Sequence, residues 1–157
     1  MSSQAQYFMP DDDTLRELGR LQVLHSQLDH ALRLAIKRML GISVDDSGYW
    51  NETRGMTAAL REKARKLISE KYAHDDNKDA ILNKVLDDAE EVTELRNRAL
   101  HSAWMKAPGG NPFLHDRDNG LRAHVNFQIP SVATLAGLGE RLQRQHRVLD
   151  SVTQDLL

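Results

Sequence analysis

Three residue types suited to phosphoryl transfer fall together in Glu94-Leu95-Arg96-Asn97-Arg98-Ala99-Leu100-His101-Ser102-Ala103-Trp104. A histidine near its unperturbed pKa of about 6.5 takes or gives a proton at neutral pH. A guanidinium makes two parallel hydrogen bonds to a phosphate and stabilises charge developing there. On a helix, Asn97 and His101 share a face. Arg96 lies roughly 140° around the helix from His101, at about 100° per residue. It must therefore reach around, or meet a phosphate beside the histidine of a second chain. A plainer reading pairs Arg96 with Glu91 or Glu94, bonds Asn97 to backbone, and sets His101 as a cation at the helix C-terminus.

Arg-Asn, three residues, then His, at the end of a third long helix and followed by a small residue and Trp104, resembles the motif of the HEPN superfamily. These are small helical domains, many of which cut RNA. The resemblance implies a homodimer with two motifs across a shared cleft. It implies metal-independent cleavage: the ribose 2′-hydroxyl attacks the adjacent phosphate and leaves a 2′,3′-cyclic end. Arg96 would stabilise the phosphate, His101 would move the proton, and Asn97 would orient one of them. Many such proteins are toxins or defence factors encoded beside a nucleotidyltransferase-like antitoxin. Other members have lost activity and serve as dimeric modules that bind a protein or RNA partner. Substitutions at Arg96 and His101 are expected to leave the fold intact.

The remaining candidates are more diffuse. Arg98, Lys63 and Lys66 are candidate RNA contacts, and Tyr49, Trp50 and Trp104 have faces on which bases could stack. Trp104 also suits packing of a hairpin on the helices. Six further histidines are scattered. His25 and His30 miss the i, i+4 spacing that puts two metal ligands on one helical face. Asp116-Arg117-Asp118-Asn119-Gly120 resembles the start of a calcium loop, but its Gly falls one place early and no suitable Glu follows, so a turn is expected. No Gly-rich phosphate loop or nucleophile elbow is present. No metal and no cofactor are expected.

Composition narrows the setting. The chain has 157 residues, 21 Lys plus Arg and 23 Asp plus Glu, a net charge of −2. Bulk positive charge therefore does not drive RNA binding, and any such contact needs a local patch. The absence of cysteine excludes disulfides and thiolate chemistry. No segment reads as a signal peptide or a membrane span, so the cytoplasm is the default location.

The elements that must position these residues are legible from spacing. Residues 1–13 read as a flexible tail, and 14–157 as one helical domain. A first helix opens on a capping box, Thr14-Leu15-Arg16-Glu17, and carries Leu18, Leu21, Leu24, Leu28, Leu32, Ala35 and Met39. A second helix spans about Thr53 to Tyr72, with a basic outer face of Arg61, Lys63, Arg65, Lys66 and Lys71. A third covers about Lys78 to His101, with an acidic middle that suits the second helix as an antiparallel neighbour. Leu121 to Ile129 alternates apolar and polar residues and reads as a strand, pairing with 113–115. Phe127 and Val125 should face the helices, with Arg122 and His124 opposite. A fourth helix starts near Ser131 or Thr134. The expected fold is all-α: a four-helix bundle with a β-hairpin inserted between helices 3 and 4.

Overall fold

A computed structural model describes residues 4–46, 53–117 and 124–156. The chain is mostly helical, with a small antiparallel sheet. Helix α1 spans Asp12–Met39, α2 Thr57–Lys71, α3 Asp76–His101 and α4 Val132–Thr153. Strands β1 (Gln6–Tyr7), β2 (Ala103–Lys106), β3 (Pro112–Arg117) and β4 (His124–Gln128) pair in the order β1-β2-β3-β4.

The apolar residues spaced three and four apart along each helix form the core, among them Leu21, Ile36, Leu60, Leu86 and Leu142. Helix α1 packs most extensively on α4. At Gly139 of α4 an added Cβ would stand 3.1 Å from a methyl of Leu24, so a hydrogen there permits the close approach. Near the other end Arg38 reaches Asp150 at 3.2 Å and the Thr153 hydroxyl at 3.1 Å. The opposed charges of the second and third helices do meet. Arg65 contacts Asp87 at 2.7 Å and Glu90 at 2.9 Å, and Arg61 lies 3.7 Å from Glu90. The pairing of 61 with 90 and of 65 with 87 sets the two helices antiparallel.

Two expectations about helix ends need correction. Thr14 does not cap α1. Asp11 does, its carboxylate accepting from the Thr14 N–H at 2.8 Å. Both types cap well, but Asp11 lets the helix start earlier and adds Asp12 and Asp13 to the positive end of its dipole. The second helix starts at Thr57, not Thr53, after Gly55 at a φ of 116°. Arg61 and Arg65 do not belong to an outer face: Arg61 is 6% exposed, and both turn toward α3.

The hairpin is part of a larger sheet. β3 and β4 pair as expected, with Leu114 opposite Phe127 and His115 opposite Asn126. Ala103–Lys106, directly after α3, adds β2, joined to β3 by a turn in which Gly110 N–H donates to the Ala107 carbonyl and Gly109 takes a φ of 71°. Gln6 and Tyr7, inside the segment read as a tail, pair with Lys106 and Met105. The register places Trp104, Leu114 and Phe127 in one row across three strands. Leu114 is fully buried, Trp104 packs against the helical core, and its indole N–H donates to the Ala99 carbonyl at 2.9 Å. Asn126, on the other face, is exposed. The side chains of His124 and Val125, and all of Arg122, Tyr49 and Trp50, lie outside the described residues. So does the 118–120 part of the turn read against a calcium loop.

Candidate functional site

Helix α3 carries Arg96, Asn97, Arg98 and His101 in its last turns, and Ser102 ends it with an extended backbone. Arg96 is only 9% exposed. Its guanidinium is held in a fork: one terminal nitrogen donates to Asn97 Oδ1 and the other to Gln22 Oε1 on α1. Neither Glu91 nor Glu94 is its partner; Glu91 instead pairs with Arg141 at 2.9 Å. Burial pushes the Arg96 pKa below its ordinary value, with Asp29 opposing. The Arg96 Nε is buried with no partner among the described residues.

This fork occupies a particular place. Helix α2 meets α1 where the Thr57 hydroxyl donates to Asp29 at 3.0 Å, and meets α3 at Asp87 and Glu90. Beyond those points α1 and α3 are bridged by two polar contacts, Gln22 with Arg96 and His25 with Thr93. The Thr93 hydroxyl donates to the Ala89 carbonyl at 2.7 Å, so its oxygen accepts from His25 Nε2 at 3.2 Å. His25 is 7% exposed. Burial, reinforced by the Arg96 and Arg61 charges, lowers its pKa to about 4, with Asp29 opposing. It therefore stands neutral beside two cations.

His101 is exposed and makes no hydrogen bond or ion pair among the described residues. Asn97, one turn earlier, is half-buried. It shares a helical face with His101 and accepts from Arg96, while the same guanidinium also reaches across to Gln22 on α1. The structure thus brings Arg96 and Asn97 into direct contact and leaves His101 exposed one helical turn after Asn97. Arg98 turns elsewhere, its guanidinium 3.9 Å from the centroid of the Phe127 ring. Lys66 is exposed and Lys63 half-buried on α2. Among the described residues no three His, Asp or Glu side chains gather as a metal-ligating group. No described helix is long and apolar enough to cross a membrane.

Gln22 and His25 are the site neighbours that spacing did not single out. A signal for His25 exists: it lies four after Leu21 and three before Leu28, within the apolar stripe of α1. Arg61 likewise sits three before Ala64 on the buried side of α2. Gln22 carries no such mark, because it is exposed and its partner lies 74 residues away. Comparison with protein-family models, curated proteins and solved structures returns no match to this chain.

Proposed function

We propose that the chain is a HEPN-like four-helix bundle working as a homodimeric, metal-independent endoribonuclease of toxin or defence type. The observation that carries this reading is the Arg96–Asn97 contact, one helical turn before an exposed His101 that has no hydrogen bond or ion pair among the described residues. The reaction needs an oriented cation at the phosphate and a titratable group open to solvent. Asn97 and Gln22 orient the cation, and His101 is the open group. In the proposed step His101 takes the proton of the 2′-hydroxyl as its oxygen attacks phosphorus, and the 5′-oxygen bond to phosphorus breaks. The protonated His101 returns that proton to the departing 5′-oxygen, directly or through water, and Arg96 steadies the phosphate charge. A second copy would place another Arg96 and His101 across the cleft. A nucleotidyltransferase-like antitoxin is the partner this reading implies.

Burial of Arg96 favours a second reading. A guanidinium already committed to Gln22 and Asn97 can serve simply to join α1 to α3. The chain would then be a non-catalytic dimeric module for a protein or RNA partner. The separating assay incubates wild type, His101→Ala and Arg96→Lys with mixed cellular RNA in EDTA and reads out 2′,3′-cyclic ends. The nuclease reading expects His101→Ala to lose about 10² to 10⁴ in rate. Arg96→Lys, which keeps the charge but not the fork, should lose a factor of about 10² or more. No cleavage by wild type, freed of any co-purified partner, would favour the binding module.

A further inference from the structure

Arg98 serves neither the Arg96 fork nor the core. Its guanidinium is stacked on Phe127, and no carboxylate or carbonyl among the described residues accepts a hydrogen bond from it. Stacking occupies a face of the guanidinium and leaves its in-plane N–H donors available. Beside it, between α3, α4 and the sheet, opens a cavity of about 240 Å³. Leu95, Phe127 and Pro130 give it apolar walls, with Gln128 and Thr134 also in the lining, over a floor of the nearly buried Ala99, Leu114 and Leu138. The Thr134 hydroxyl is already engaged with Ser131 at 2.9 Å.

The volume equals the share of about eight liquid water molecules, yet the apolar walls offer water few partners. It is somewhat smaller than the pockets that hold drug-sized ligands, and suits one ring or a short branched chain. A neutral hydrocarbon would leave the Arg98 donors unused. A bare phosphate would leave the apolar walls uncovered. We infer that this cavity binds a small organic carboxylate with a single-ring or short-chain apolar body. The body lies between Leu95, Phe127 and Pro130, over the floor made by Leu114 and Leu138, and the carboxylate takes two parallel hydrogen bonds from Arg98. This site is separate from the proposed cleavage chemistry and does not depend on it.

Methyl NMR of the full chain, labelled at leucine and titrated with phenylacetate, tests the inference. The Leu95, Leu114 and Leu138 methyls should shift and saturate. The neutral isostere phenylacetamide should bind wild type at least about tenfold more weakly, since it lacks the charge-assisted pair. Arg98→Met, which keeps the apolar stem, should weaken phenylacetate by a similar factor. The same spectra report whether that variant is folded, and the amide comparison needs wild type alone. Absence of saturable shifts up to about 10 mM, or equal affinity for acid and amide, would overturn the site. So would uridine monophosphate shifting these methyls while phenylacetate leaves them unmoved, which would assign Arg98 to an RNA contact.

Discussion

Arg96 shows how a residue chosen for chemistry also becomes part of the packing. The motif was legible from its spacing, but its burial was not, because the partner Gln22 lies 74 residues earlier, on α1. The variant Arg96→Ala, expected to fold because this position lies off the apolar stripe, should therefore fold with a loss of stability. Arg96→Ala would leave Gln22 and Asn97 without their donor and remove a largely buried side chain. It should cost about 1–3 kcal/mol, while Arg96→Lys costs less. Urea unfolding of the two variants against wild type checks the order. His25 gives a second outcome at this scale. Its pKa is about 4 in the folded chain against an ordinary 6.5, so the unfolded chain binds the extra proton first as pH falls. Its contribution is fully present above about pH 6.5 and is lost progressively down to about pH 4, by up to roughly 3 kcal/mol. His25→Gln should flatten that part of the stability profile, measured as the urea midpoint from pH 7.5 to 4. An equal acid slope in both proteins would place the sensitivity elsewhere.

Among the elements, long periodic helices were readable, whereas short strands were not. Apolar residues three and four apart marked α1 through α4, because a buried helical face leaves that imprint over many turns. β4 was readable by its alternation. β1 and β2 were not, since Gln6–Tyr7 and Ala103–Lys106 are too short to show a period and gain their pairing from the neighbouring strand. The N-terminus of α1 was misplaced because Asp11 and Thr14 both belong to the capping types, and only tertiary placement decides between them. The row Trp104, Leu114, Phe127 ties this sheet to the helices that carry the motif. Leu114, 1% exposed, is its centre. Leu114→Ala should cost about 2–5 kcal/mol through lost burial and the cavity left behind. Hydrogen exchange should show lost protection in β2 and β3 before the centres of α1 and α4. Uniform loss across all elements would mean that sheet and helices open as one unit.

At the scale of the whole molecule, the stretch of α1 before Asp29 and of α3 after Glu90 lies beyond the points where α2 meets them, bridged by polar contacts. Leu15 and Val23, 40% and 57% exposed, lie on the same stretch of α1. A second copy covering this region would exclude water from the site and supply the other half of a composite cleft. Light scattering at micromolar concentration should give about twice the 17.8 kDa chain mass. A strict monomer would remove the composite site but leave a single-chain site to be tested. That test falls on the proposed nucleophile. An RNA oligonucleotide cut by the wild-type protein at a mapped position is remade with one 2′-hydroxyl replaced by hydrogen at that position and assayed in EDTA. Cleavage should vanish there while the all-ribose oligonucleotide still yields a 2′,3′-cyclic end. A cut that persists at the deoxy position would contradict attack by the 2′-hydroxyl, and with it the roles given to Arg96 and His101.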